Sequence, residues 1–133
     1  MNIVHLMHAS IFTENFIDFV EKNDSNNTHS YIIRSKKSIP LSDSDKFSYF
    51  NYSLIDNIRY LCKVVSAFRS ADKVYLHSFQ DPRFLFVFPF IFFNLKKNHW
   101  IMWGGDIYGL SNLALIHRKV KLFLIKQFGG IVA

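Results

Sequence analysis

The sequence predicts a doubly wound α/β domain, in which helices cover both faces of a mostly parallel sheet. Apolar segments of strand length alternate with segments of helical periodicity along nearly all of the 133 residues. The chain is 50% hydrophobic and 17% aromatic, which is ample for one buried core. Polar turns separate the segments. This alternation is typical of a Rossmann-like fold, and we expect one such domain over residues 1–133.

The individual elements follow from the spacing of apolar residues. The predicted strands are 2–7, 29–34, 73–77, 100–103 and 131–133, with a short extended piece near 47–50. The predicted helices are 12–22, 54–70, 84–93 and 110–128. The last predicted strand is three residues long and no helix follows it, so we expect the chain to be a fragment of a larger architecture.

Two of the helices carry apolar stripes that we expect to face the core. In the first helix the stripe consists of Phe12, Phe16, Phe19 and Val20. In the second it consists of Leu54, Ile58, Leu61, Val65 and Phe68, behind a Ser53 cap. The single cysteine, Cys62, lies in this second helix, which predicts a buried, inert thiol and excludes a disulfide framework.

The composition also limits the function classes. The net charge of +6 suits an anionic partner: a phosphate, a nucleic acid or an acidic membrane surface. A nucleic-acid partner is not expected, because the aromatic residues fall mostly on buried stripes rather than beside the cations. No phosphate-binding glycine loop, paired cysteines or His-Glu-x-x-His motif is present. We therefore expect no metal site and no bound nucleotide cofactor within these residues.

Residues able to carry chemistry follow three predicted strands. They are His8, the pair His77-Ser78, and the run Gly104-Gly105-Asp106. The carboxyl ends of parallel strands meet at one edge of a sheet, where ligands bind in open α/β folds. Histidine and aspartate can accept a proton or orient a hydroxyl. The alternatives are that Asp106 caps the next helix and that backbone groups satisfy His77.

The predicted helix over 110–128 is strongly basic. Its cations, Arg118, Lys119, Lys121 and Lys126, lie opposite the apolar face, and two aliphatic residues lie among them. This mixture suits the boundary of an anionic bilayer, where each cation contributes roughly 1 kcal/mol. An ordinary solvated outer face is the alternative interpretation.

Several of these motifs together resemble a known family. They are the run 77–82 with His77, the run 100–108 with Trp103, Gly104, Asp106 and Tyr108, and the final 129–133 after a basic helix. The pattern resembles glycosyltransferase family 56, the TDP-N-acetylfucosamine:lipid II N-acetylfucosaminyltransferases, also called 4-alpha-L-fucosyltransferases. Ser78 stands where that family tends to have glycine. The opening segments 3–7 and 12–20 resemble the start of these proteins as well.

The resemblance implies the amino-terminal half of a GT-B glycosyltransferase, which is a hexosyltransferase of two Rossmann-like domains. It implies metal-independent transfer of a sugar from a nucleotide donor to a polyprenyl-diphosphate-linked glycan, in bacterial surface polysaccharide synthesis. It places the protein peripherally at the cytoplasmic side of the inner membrane. The donor-binding domain would be a separate carboxyl-terminal part, so we expect the 133-residue chain to be inactive alone.

On this interpretation Asp106 is the candidate base or acceptor-orienting group, and His77 is the second candidate. Gly104 and Gly105 would let substrate approach the backbone, and Tyr108 could stack against a sugar. Ser78 and His8 complete the candidate substrate-binding set. The rival hypothesis is a non-catalytic α/β module that docks an anionic membrane or a protein through the basic helix.

Overall fold

Six parallel strands form a single sheet in the structure of this protein, a computed structural model that describes residues 1–36, 46–77, 95–101 and 130–132. The strands are β1 (Asn2–His8), β2 (Thr28–Arg34), β3 (Phe47–Phe50), β4 (Lys73–His77), β5 (Asn98–Ile101) and β6 (Gly130–Val132). The described helices are α1 (Ile11–Asn23) and α2 (Leu54–Ser70), and a short 3-10 turn (Leu95–Lys97) precedes β5.

The order of the strands across the sheet is β3-β2-β1-β4-β5-β6, and every neighbouring pair is parallel. Chain progression therefore reverses between β1 and β4. This is the strand order of a Rossmann-like fold, with the reversal at the centre of the sheet. The predicted α/β class with a parallel sheet is confirmed.

One face of the sheet, which we call the second face, carries Leu6, Ile32 and Leu76 and packs against α2. The helix contributes four buried residues to this core: Tyr60, Val64, Ala67 and Phe68. Trp100 of β5 is also buried in it. Ser53 caps α2 by accepting a hydrogen bond from the backbone N–H of Asp56, as predicted.

The opposite face, which we call the first face, carries His5, Tyr31 and Ile33 and packs against α1. Phe16 and Ile17 of this helix contact the cluster formed by Met7, Tyr31 and Ile33. Ser10 caps the amino terminus of the helix, because its hydroxyl accepts the backbone N–H of Thr13. Helices thus cover both faces of the sheet, as predicted.

The predicted core stripes of both helices are partly wrong. In α1, Phe12 and Phe19 are exposed, whereas Val20 is buried. In α2, the side chains of Leu54 and Ile58 are exposed, and only Phe68 of the predicted stripe is fully buried. The reason is that α2 has two apolar faces, and the face that contains the smaller Ala67 packs against the sheet.

Two further predictions need correction. Cys62 lies on the exposed side of α2, so the expected buried thiol is wrong. The strand expected at 100–103 begins two residues earlier, at Asn98, because Asn98 pairs with Val74 of β4. The predicted helices 84–93 and 110–128 lie outside the described residues. Among the residues that are described, no helix has the length and apolar character needed to cross a membrane.

Candidate functional site

His8 and His77 lie at the carboxyl ends of β1 and β4, the two strands between which the chain order reverses. This is the position at which open α/β sheets bind ligands. The register pairs Leu6 with Leu76, and strand residues alternate between faces. His77 therefore lies on the first face and His8 on the second. The sequence predicted their common edge, but the two side chains occupy opposite faces of the sheet.

His77 begins a chain of hydrogen-bonded side chains that crosses three strands. Its Nε2 lies 3.0 Å from Nδ1 of His5 on β1. Nε2 of His5 lies 3.0 Å from Nδ1 of His29 on β2. Nε2 of His29 lies 3.2 Å from a carboxylate oxygen of Asp24, the residue that ends α1. We call these four residues the histidine chain.

The diagonal path of the histidine chain follows from the register of the strands. Ile3 pairs with His29, and His5 pairs with Tyr75, two residues before His77. In the order His29, His5, His77, each histidine therefore lies two residues closer to the carboxyl edge than the one before it. All three point to the first face, because strand side chains repeat every second residue.

Aromatic rings enclose the middle of the histidine chain. Tyr31 and Tyr75 stack on either side of His5, at ring-centroid distances of 5.0 and 5.4 Å. Phe16 of α1 approaches His77 edge-on at 4.6 Å and His5 at 5.6 Å. These aromatic rings replace water around the imidazoles, so the histidine chain runs through an apolar layer between the sheet and α1.

Burial determines the charge state of the histidines. Burial, together with the nearby His77 and His29 rings, lowers the pKa of His5 to about 2. Burial also lowers the pKa of His77, to about 3. Both rings are therefore neutral near pH 7, since an imidazolium there would lose its hydration. At the other end, the Asn27 side-chain hydrogen bond lowers the pKa of Asp24 and keeps it ionised.

A chain of this kind can orient a histidine and move a proton. Each neutral imidazole has one nitrogen that donates and one that accepts, and the partner of one nitrogen fixes the role of the other. The rings bond to one another in sequence rather than converging on a common centre. Within the described ranges, no group of three or more His, Cys, Asp or Glu residues is arranged to hold a metal ion.

A second polar cluster occupies the other face of the same edge. Nδ1 of His8 lies 3.1 Å from the hydroxyl of Tyr52. The Arg34 guanidinium, at the end of β2, lies 4.4 Å from the centroid of the Tyr52 ring and 4.6 Å from that of Tyr60. Its Nη2 donates to Oδ1 of Asn57 on α2. Among the described residues, this buried cation forms no ion pair with a carboxylate.

Removal of the Arg34 side chain is expected to destabilise the fold. Arg34 is only 5% exposed, and a desolvated cation–π contact contributes about 2 kcal/mol. We expect Arg34→Ala to lower the free energy of unfolding by at least about 2 kcal/mol, measured by urea titration. The matched control is Arg59→Ala, since Arg59 is 72% exposed and lies 3.9 Å from Asp56. Exposed ion pairs contribute about 0–1 kcal/mol, so equal losses in both variants would contradict this role.

The structure brings together only some of the predicted site residues. His77 and His8 are at the predicted edge, and the structure gives His77 a side-chain hydrogen bond to His5. The other predicted site residues lie outside the described residues: Ser78, Gly104, Gly105, Asp106, Tyr108, Arg118, Lys119, Lys121 and Lys126.

Sequence reasoning missed three members of the histidine chain: His5, His29 and Asp24. A signal for two of them was present, because His5 and His29 each occupy an inward position of a predicted strand. Histidine in the middle of an apolar strand needs a buried polar partner. Comparison with protein-family models found no match, and neither did comparison with curated proteins.

Proposed function

We propose that this chain is the acceptor-binding domain of a glycosyltransferase of the family 56 type. It would bind a polyprenyl-diphosphate-linked glycan at the cytoplasmic side of a bacterial inner membrane. A donor-binding domain would supply the nucleotide sugar, and transfer would be of a fucosamine-like sugar. The single observation that carries the proposal is the position of His77, a neutral, oriented histidine beside the strand-order reversal of a Rossmann-like sheet.

The chemistry of sugar transfer requires such a group. The acceptor hydroxyl becomes a better nucleophile when a base removes its proton as the new glycosidic bond forms. Burial lowers the pKa of His77, so its ring is neutral near pH 7, and a neutral imidazole has a nitrogen that accepts hydrogen bonds. Asp106 is the alternative base, predicted by the motif that resembles the family. His77 ends β4, and in the sequence Asp106 comes five positions after the end of β5, the neighbouring strand.

Residues on the second face of the sheet, at the same carboxyl edge, support the recognition of an anionic acceptor. Arg34 and His8 lie at the ends of adjacent strands there and place a cation and an imidazole ring near the same edge. The net charge of +6 favours association with a diphosphate and with an acidic membrane surface. The basic segment around Arg118, Lys119, Lys121 and Lys126 is proposed to contact the lipid headgroups.

The proposal is tested by measuring how the 133-residue chain binds vesicles. One set contains a polyprenyl-diphosphate-linked sugar, and the other has the same negative charge from ordinary anionic phospholipid. We expect saturable binding that is at least tenfold tighter to the vesicles that contain the glycan lipid. Equal binding to both sets would overturn the proposal and would favour the non-catalytic module that docks on charge alone.

Substitution of the candidate bases separates binding from chemistry. When transfer is reconstituted with a donor-binding domain, His77→Gln is expected to lower turnover by about 10²–10⁴-fold, the usual contribution of a general base. Binding of the same variant to vesicles that contain the glycan lipid should change little. Asp106→Asn is the parallel test of the alternative base. Full turnover in both variants would contradict acid–base catalysis at this edge.

A further inference from the structure

Large apolar side chains are exposed at the carboxyl edge of the sheet, beside the candidate site. Seven such residues are exposed in the described part of the chain, and five of them belong to the first two residues of α1 or the first five of α2. Their exposed fractions are 58–78%. We call these five residues the apolar rim: Ile11, Phe12, Leu54, Ile55 and Ile58. Neither core cluster contains any of them, so packing of the fold does not account for them.

The topology brings the beginnings of the two helices to the same edge. The strands β1 and β3, which precede α1 and α2, are parallel, so both helices begin where those strands end. A hydrogen bond of 3.1 Å between Nδ1 of His8 and the hydroxyl of Tyr52 joins the two connecting segments. The helices pack on opposite faces of the sheet. The apolar rim therefore extends across both sides of the carboxyl edge.

The polar residues beside the apolar rim carry no excess of charge. The two capping serines and Asn51 are exposed there. The exposed cations are Lys36, two residues after β2, and Arg59 of α2. The acids are Glu14 in the first turn of α1 and Asp56 in the first turn of α2. Because these charges cancel, exposed apolar surface is the property that distinguishes this edge.

A lipid bilayer fits this surface better than a second protein does. Five such side chains provide several hundred Å² of apolar surface, below the roughly 800 Å² per partner of a stable protein interface. Polar residues separate the two helix ends, whereas the core of a protein interface is contiguous and apolar. The bilayer boundary takes up apolar side chains and offers headgroups to nearby hydroxyls and amides. The net charge of +6 favours approach to an anionic surface.

We propose that the apolar rim inserts into the acyl boundary of an anionic bilayer, so that the carboxyl edge of the sheet faces the membrane. The inference rests on the proposed function only for the presence of a membrane, since insertion requires no glycan lipid and no sugar transfer. It differs from headgroup contact through the basic segment, because salt screens attraction between charges but does not weaken apolar contacts. Part of the binding therefore persists at high salt.

Binding to vesicles without glycan lipid tests the role of the apolar rim. The full chain is mixed with vesicles of phosphatidylglycerol and phosphatidylcholine, at low salt and at about 0.5 M salt. We expect Ile55→Ser/Ile58→Ser to bind about tenfold more weakly at both, because two side chains no longer bury apolar surface. The matched control is Phe19→Ser, since Phe19 is 64% exposed but lies far from the start of α1. Equal binding by the double variant and the control would overturn the proposal.

A fluorescent label locates the edge that inserts. Cys62 is the single cysteine of the sequence, so the label is attached at Ile55→Cys or at Ser25→Cys in a Cys62→Ser background. Ser25 follows α1 at the amino edge and is exposed. With vesicles bound, we expect blue-shifted emission and protection from iodide at position 55 and neither at position 25. No change at position 55, or the same change at both positions, would overturn the proposal.

Two comparisons separate the inference from a protein partner and from the proposed function. Self-association without vesicles that Ile55→Ser/Ile58→Ser abolishes would assign the apolar rim to a second copy of the chain and overturn insertion. Insertion with no preference for glycan lipid would support the inference and remove the proposed function. Undiminished binding of the double variant to vesicles with glycan lipid would keep the proposed function and overturn the inference.

Discussion

Lowering the pH from about 7 to about 5 is expected to reduce the free energy of unfolding by about 4 kcal/mol through His5 and His77. The folded-state pKa of His5 is lowered to about 2 and that of His77 to about 3, from 6.5 in the unfolded chain. Below pH 6.5 the unfolded chain therefore binds two protons that the folded protein does not. Stability falls as the pH falls through this window and returns above it.

Urea unfolding at a series of pH values measures this effect. Two protons bound only on unfolding give a slope of about 2.7 kcal/mol per pH unit. The lowered pKa of partly buried His99 adds a change of the same sign. The pKa values of Glu21 and Asp24 are also lowered, and these two carboxyls change the free energy of unfolding only at lower pH, below their ordinary pKa range. A free energy of unfolding that is constant between about pH 7 and about pH 5 would mean that the two buried rings take up protons in the folded protein just as they do in the unfolded chain.

Truncation of Leu6 is expected to have the second large effect. Leu6 is fully buried, with 0% of its side chain exposed, at the centre of the core between the sheet and α2. Its replacement by alanine removes apolar contacts and leaves a cavity, which typically costs about 2–5 kcal/mol. We expect the midpoint of urea unfolding to fall accordingly, while the denaturant slope stays the same.

Leu54→Ala is the matched control, because the same atoms are removed from a residue that is 78% exposed. Exposed substitutions usually change stability by less than about 0.5 kcal/mol. The pair also tests which face of α2 is buried. A loss at Leu54 as large as the loss at Leu6 would mean that the stripe predicted from the sequence, rather than the face with Val64, packs on the sheet.

The strands and both described helices could be predicted because each is encoded locally, by apolar periodicity and a capping serine. The buried face of α2 could not be predicted in the same way. Leu54 and Ile58, which are exposed, are more apolar than Tyr60 and Ala67, so hydropathy alone selects the wrong face of the helix. The choice is made by packing against the sheet, where Ala67 allows close approach and Tyr60 finds a partner in Arg34.

The candidate site was predictable only in part, for a related reason. His77 is the last residue of a predicted strand, and that local signal was sufficient to place it at the carboxyl edge. Its partners lie 72 and 48 positions away, at His5 and His29. They meet because three parallel strands pair in one register, which no local pattern encodes. The same register places His8 on the opposite face from His77.

The most direct test of the central claim is to locate where an acceptor analogue binds. A short-chain, water-soluble prenyl-diphosphate sugar would be added to the labelled full chain, and the changes in backbone and imidazole resonances recorded. We expect the largest changes at His77, His8 and Arg34, along the carboxyl edge of the sheet. Changes confined to the amino edge, at Asn2, Thr28 and Lys73, or no saturable change at all, would contradict the account.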